Sequence, residues 1–337
     1  MKTKVIIAII ALLLLAGCSN NTIEAQPAQQ PIKIGVALPV TGSMAAGGSS
    51  VQKGILVAQK EINAQGGING MPVELIMEDT HSVSTDAVTA VTKLIEVDKV
   101  PVLIAGAYSA EGVAVAPLAQ NSKVVLLSPL APNTAMDTAG DWVFKLREST
   151  RQHAKAILDE ISKRGHKKLG ILAASYESCN DAQPIIDKYA KELGISIVLL
   201  EHFDTKDTDM RTQISKLKNS DFDAWYTCGT YQDLGLVHKQ AKELGISKPA
   251  FSTYAIENKK TVEVAGEALE GIIYTTTKWS CDNAQFFCTT LKQDYNVTPD
   301  YRSAFGYDSL KLVAEAIRRN GYTSEGIQKG LLSIQDF

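Results

Sequence analysis

From Ile32 onward the apolar residues follow two alternating rhythms: short unbroken runs, and longer stretches with an apolar residue every third or fourth position. The first predicts buried strands, the second amphipathic helices. Ile32–Leu38 is such a run and stops at the turn signal Pro39-Val40-Thr41-Gly42. Gly48–Ala64 carries Val51, Ile55, Ala58 and Ile62 at helical spacing, and Gly66-Gly67 closes it. Val73–Met77 and Thr85–Val97 repeat the pair. Val102–Gln120 makes a third: an apolar run to Gly106, the turn Ala107-Tyr108-Ser109, and a helix for which Ser109 stands as N-cap. Val124–Leu127 is a fourth strand, meeting Ser128-Pro129. Strands alternating with helices predict a parallel, doubly wound sheet.

The chain then leaves this sheet in the sequence reading. Asn133–Asp141 has no clear period, and Trp142–Lys145 is a short extended segment. A fresh alternation follows: helix Arg151–Lys163, strand Leu169–Ala173, helix Ala182–Leu193, strand Ser196–Leu200, helix Met210–Leu217, strand Ala224–Thr227, helix Leu234–Leu244 and strand Ala250–Ser252. Two such runs predict two similar lobes rather than one very wide sheet. Beyond Gly271–Tyr274 the pattern turns helical, at Ala284–Tyr295, Tyr301–Arg319 and Ser324–Leu332.

Composition adds limits. With 337 residues, 45% hydrophobic and 21% charged, the chain is ordinary globular material and long enough for two cores. The start differs. Lys2 and Lys4 precede the apolar Val5–Leu15, too short to span a membrane as a mature helix. Leu15-Ala16-Gly17-Cys18 resembles the bacterial lipobox, which implies a signal peptide over 1–17, cleavage before Cys18 and a lipid on its sulfur. The alternative is an ordinary secretory signal with an incidental cysteine. Residues 18–30, polar and holding Pro27, read as a lipidated tether. The protein is then exported, anchored to the outer face of the membrane or in the periplasm.

Losing Lys2 and Lys4 with a leader that holds no acid takes the formal charge from −3 to −5. No basic stripe remains for nucleic acid. Cys281 and Cys288 are spaced to permit a local disulfide in an exported protein, while Cys179 and Cys228 are either a second bridge or two small buried hydrophobes. The cysteines and the five scattered histidines have no metal-ligand spacing, so neither metal nor cofactor is expected. No Gly-x-Ser-x-Gly, phosphate-binding Gly-rich loop or Gly-x-Gly-x-x-Gly occurs, so an enzyme, a hydrolase included, is the less favoured class.

Several stretches, in order, resemble one family. They are Ile34–Gly42 with Ala45 and Gly48, Glu61-Ile62-Asn63 through Gly66–Gly70, Leu127-Ser128-Pro129, Ala265–Gly271, and Ala304-Phe305-Gly306-Tyr307-Asp308-Ser309. Together they are similar to the solute-binding component of ABC importers, with the type I periplasmic-binding fold of the branched-chain amino acid and amide group. The resemblance implies an α/β fold of two Rossmann-like doubly wound lobes joined by crossover hinges, with a ligand captured between them. It places residues 31–147 plus 277–332 in a discontinuous N-terminal lobe and 148–276 in a C-terminal lobe. It also implies a returning strand and final segment beyond Phe337, absent from this chain. The partners implied are a small solute, a membrane permease and, through Cys18, the membrane, with the protein itself a monomer. A lipid-anchored sensor module of the same fold is the other reading.

The site carries over residue by residue. Ala107-Tyr108-Ser109 matches the first turn that holds a ligand carboxylate; Ser109 is either a donor to that anion or a plain N-cap. Ser128-Pro129-Leu130-Ala131-Pro132-Asn133 matches the second. Members often carry Thr four residues after that serine; here Pro132 offers neither hydroxyl nor N–H, leaving Asn133 or Thr134 to serve. Thr230-Tyr231, Tyr176 and Tyr254 are expected to face the cleft from the second lobe, with core packing as the alternative for Tyr231. Glu257, the acid near Tyr254, is either an ammonium counter-charge or a solvated loop residue. Thr41 lies by the first turn, and Gly47, where some members hold an aromatic ring, is expected to enlarge the pocket. These departures point away from a standard leucine, isoleucine and valine specificity.

Overall fold

The structure is a computed structural model describing residues 30–335. The leader, Cys18 and most of the tether lie outside the described residues.

Two five-stranded sheets, parallel throughout, carry the fold. In the first, β1 (Ile32–Leu38), β2 (Val73–Asp79), β3 (Val102–Ala105), β4 (Val125–Ser128) and β5 (Val143–Lys145) run in the order β2-β1-β3-β4-β5. In the second, β6 (Lys168–Ala174), β7 (Ser196–Phe203), β8 (Ala224–Cys228), β9 (Ala250–Ser252) and β10 (Ile273–Tyr274) run β10-β9-β8-β6-β7. Helices α1 (Ala45–Ala64), α2 (Ser84–Glu96) and α3 (Ser109–Ser122) alternate with the first sheet. Helices α4 (Thr150–Lys163), α5 (Glu177–Glu192), α6 (Arg211–Lys218), α7 (Tyr231–Glu243) and α8 (Lys259–Ala265) accompany the second. Then come α9 (Gln285–Tyr295), α10 (Tyr301–Asn320) and α11 (Ser324–Leu332).

The central strands β1, β3, β4, β6 and β8 are buried on both faces, so they read as largely apolar runs. In β1, Ile32, Ile34, Val36 and Leu38 pack towards α1 and α10, while Ala37 joins the core on the opposite face with Leu94 and Leu103. Gly35 is forced by that second contact, since a Cβ there would lie 2.9 Å from Leu103 and Val100 side-chain carbons. Helix α10 returns to the first sheet and lies along α1. Gly54 on α1 faces the Ser303 carbonyl and Gly306 on α10 faces the Val51 carbonyl, each with no room for a Cβ. That close approach explains the glycine in Ala304-Phe305-Gly306-Tyr307.

Three expectations change. Val143–Lys145 does not leave the sheet; it pairs parallel with β4 through Leu127↔Phe144 and forms its fifth strand. Helix α5 begins at Glu177, five residues before Ala182, and runs through Pro184. The aperiodic loop holds a 3-10 turn, Thr134–Thr138, capped by Asn133. Both cysteine pairs form disulfides, Cys281–Cys288 and Cys179–Cys228, with Cα atoms 6.0 and 5.7 Å apart. Among the described residues no helix is long and apolar enough to cross a membrane.

Candidate functional site

The turn after β4 of the first lobe meets the second lobe at Thr150, Glu177 and Asp181, and Tyr108 after β3 lies near Tyr176. Among the described residues two short crossovers join the lobes, one after β5 and one after β10, and they run side by side: the Thr277 hydroxyl of one donates to Glu148 of the other at 2.8 Å.

On the first-lobe edge, most polar side chains are already engaged. The Thr41 hydroxyl donates to Asp79 at 2.6 Å, and the N–H groups of Val40, Thr41 and His81 donate to the same carboxylate. Burial pushes Asp79 up, but these hydrogen bonds outweigh it and hold it below its ordinary value. Ser128 is fully buried: its hydroxyl donates to the Gly106 carbonyl at 2.7 Å and accepts from the Ala131 N–H at 3.4 Å. It ties the two turns to each other from within. Gly106 takes φ +68°, which favours glycine, and Ala107 and Leu130 pack their side chains in the core.

Ser109 is not the N-cap. That position belongs to Tyr108, in extended backbone, and Ser109 is the first helical residue, with its hydroxyl capping nothing. The free N–H groups of this first turn remain at the cleft edge. Gly47 does not enlarge the pocket as expected: the Tyr108 hydroxyl lies over it, leaving no room for a Cβ, and donates to the Met44 carbonyl at 3.2 Å. Burial pushes the Tyr108 phenol well above its usual range, and the Tyr176 phenol across the cleft adds to that.

The turn after β4 is spent on the other lobe. The Pro132 carbonyl accepts from the Thr150 N–H at 2.8 Å and from its hydroxyl at 3.1 Å. The Asn133 amide donates to Glu177 at 3.0 Å, and the Thr134 hydroxyl donates to Asp181 at 2.5 Å. A proline with nothing to donate thus acts through its acceptor.

Within the second lobe, Tyr176, Tyr226, Tyr254, His153 and the Cys179–Cys228 bridge line a cavity that Pro132 closes from the first lobe. Its lining holds no carboxylate. Burial, then the neighbouring Arg147 charge, lowers His153 to about 4, so it is neutral, and its Nε2 is buried without a partner. The His153 and Tyr254 rings lie 5.5 Å apart. The Arg147 guanidinium sits 3.8 Å from the centre of the Tyr254 ring and 5.3 Å from that of Tyr301, which opens α10. Arg302 stacks on the same Tyr301 at 4.5 Å and pairs with Asp300 at 3.1 Å.

Tyr108, Tyr176 and Tyr254 are therefore brought to one place. Thr230 and Tyr231 are not lining residues of the cavity. Thr230 is the N-cap of α7 in a reciprocal pair with Asp233, and the Tyr231 carbonyl accepts from Thr261 at 2.7 Å on the α8 side. Glu257 is exposed and neighbours Tyr274 rather than the cavity. Arg147, His153, Tyr226, Tyr301 and Arg302 were missed; the one available signal was a basic pair of residues beside the crossover, Arg147 and Arg151, with His153 after them. Among the described residues no group of three or more His, Cys, Asp or Glu is placed to hold a metal ion.

Residues 31–336 match the model of a family described as periplasmic binding protein. A Leu/Ile/Val-binding protein homolog of Brucella suis is 25% identical over 296 residues, covering 86% of this chain and 79% of its own length. A leucine-, isoleucine-, valine-, threonine- and alanine-binding protein of Pseudomonas aeruginosa is also 25% identical, over 79% of this chain and 70% of its own. Among solved structures, the branched-chain amino acid transporter substrate-binding protein LivJ of Streptococcus pneumoniae, in complex with isoleucine, superposes with a TM-score of 0.78 at 29% identity, covering 91% of this chain and 89% of that one. The leucine-binding protein LivK of Thermotoga maritima gives a TM-score of 0.78 at 27% identity, over 91% and 88%.

Proposed function

The chain belongs to the periplasmic binding protein family, and from that premise we propose that it is the solute-binding component of an ABC importer. It captures a small polar solute, an amino acid, amide or related carboxylate, by closing its lobes, and delivers it to a membrane permease. One observation carries this reading: a carboxylate-free cavity lined by tyrosines of the second lobe is closed by Pro132 of the first, and short paired crossovers join the two lobes. Hinge closure is the motion such a linkage allows. The helix start at Ser109, with its unpaired N–H groups and uncommitted hydroxyl, is the seat for the solute's carboxylate. Ala107 and Tyr108 shape that seat, and Tyr176 and Tyr254 close it from the far side.

In this reading the protein is an extracytoplasmic monomer held by a lipid on Cys18, and it turns nothing over. A thermal-shift panel of amino acids, amides, ureas and short carboxylates tests it on the purified protein. Stabilisation by one class without chemical change is expected. Stabilisation by none of them, or steady hydrolysis of an ester or amide, overturns it.

A further inference from the structure

We propose that the second-lobe wall of the cleft receives an anionic group of the solute, a carboxylate held between Arg147 and His153 against the Tyr254 ring. The proposal rests on the importer reading and narrows its substrate class.

Arg147 is 6% exposed, yet among the described residues its guanidinium forms no ion pair and meets only the Tyr254 and Tyr301 rings, and its Nε is buried without a hydrogen-bond partner. A stacked ring contributes through its face but cannot accept the N–H groups that lie in the guanidinium plane. Burying such a cation without an acceptor is costly, so a buried arginine is normally found paired. His153 repeats the pattern next to it. Its Nε2 is likewise buried and unpartnered, and its ring meets the same Tyr254 on the cavity wall. Both groups lie against the Tyr254 ring, and the Arg147 Nε–H, with the His153 Nε2 in its protonated tautomer, is complementary to a planar acceptor with two oxygens, which is what a carboxylate offers.

The surrounding acids are occupied elsewhere. Glu148 accepts from Thr277, Glu177 from Asn133, Asp181 from Thr134, and Asp300 pairs with Arg302. None lines the cavity, so this wall has no counter-charge for an ammonium group. A zwitterion docked by its carboxylate at Ser109 would turn its positive end towards Arg147. A dicarboxylate places an anion at both ends instead. The solute class is thus a short acid with a second carboxylate, rather than a neutral-side-chain amino acid.

Isothermal titration of the purified protein with leucine, with C4 to C6 α,ω-dicarboxylates and with their monoamides tests this. A dicarboxylate is expected to bind more tightly than its monoamide and than leucine. Arg147→Met should weaken it about 30-fold or more, Arg147→Lys should restore part of the loss, and His153→Gln should weaken it about fivefold. Circular dichroism confirms folding, and Arg147→Lys keeps the comparison available if Arg147→Met does not fold. Tight binding of leucine with no preference for dicarboxylates, or an affinity unchanged in Arg147→Met, overturns the inference and leaves the importer reading intact. Binding of no probe, with no solute found in the thermal-shift panel, overturns both.

Discussion

The two lobes share one architecture and differ in how their cleft edges are held. In the first lobe the edge is tied by hydrogen bonds among turns: Asp79 gathers the β1 loop, and Ser128 clamps the β3 turn from below. In the second it is tied by a covalent bridge between Cys179 at the start of α5 and Cys228 at the end of β8, beneath a wall of tyrosines. The buried titratable groups differ too. Glu111 of the first lobe is a carboxyl, 3% exposed, that accepts from Thr80 at 2.7 Å through one oxygen and has no partner for the other. The second lobe buries the carboxyl of Asp233, bonded to Thr230, and adds a buried imidazole. His238 is joined to Thr227 at 3.0 Å, and Thr227 donates to Ser252 at 2.8 Å. Similar folds have thus solved the same problem, holding a loop edge still, with chemistry that responds to different conditions.

Reduction separates them most strongly. The Cys179–Cys228 bridge spans 49 residues, and loop-closure entropy assigns it about 4 kcal/mol, against about 2 for a loop as short as Cys281–Cys288. Cys179→Ala with Cys228→Ala should lower the denaturant midpoint of the second lobe and leave hydrogen exchange in β1 and β3 protected. Equal loss of protection in both lobes would mean that they unfold as one unit and that the contrast has no energetic meaning.

Much of this architecture is visible in the sequence because both faces of each sheet are covered, so every central strand is an apolar run. β5 escapes notice because Val143–Lys145 is half-buried and only three residues long. Pro184 hides the start of α5, since a proline inside a helix normally marks its end. The Ser109 turn is legible as a strand-to-helix junction. Arg147 and His153 are not, because nothing local distinguishes them; only the folding of two lobes brings Tyr254 and Tyr301, distant in sequence, onto one guanidinium.

pH should act on two buried groups, Glu111 of the first lobe and His238 of the second, in opposite directions. Burial raises Glu111 to about 7, against the Thr80 hydrogen bond that lowers it. The folded protein then keeps a proton that the unfolded chain releases from its ordinary value of 4.5 upward. This contribution is full at low pH and lost as pH rises towards 7, about 3 kcal/mol in all. Glu111→Gln, which keeps an acceptor for Thr80, should raise the urea midpoint at pH 8 and leave it nearly unchanged at pH 4.5. A midpoint difference independent of pH would sink this account.

In the second lobe burial lowers His238 to about 3, from an ordinary 6.5. Here the unfolded chain takes up the proton first, so stability is full above pH 6.5 and falls below it. The loss is about 2 kcal/mol at pH 5. His238→Gln should flatten the acid limb of the stability profile. The first-lobe mutation at Glu111 should leave that limb in place.

The smallest effect tests the seat itself. Ser109 is 8% exposed, stands at the first position of α3 and caps nothing, so removing its hydroxyl costs the fold little. If the hydroxyl instead meets a solute carboxylate, Ser109→Ala loses one charge-assisted hydrogen bond, about 1.5 kcal/mol or roughly tenfold in affinity. The denaturant midpoint should not move. Gly47→Ala supplies the contrast from the same wall: its Cβ has no room beneath the Tyr108 hydroxyl, so it displaces that ring without touching Ser109. An affinity lost in Gly47→Ala but kept in Ser109→Ala would make the first-lobe edge a matter of aromatic shape. The loss of affinity in Ser109→Ala at constant stability would make it an anion seat, one whose donors are assembled by the β3 turn and not by the tyrosines opposite.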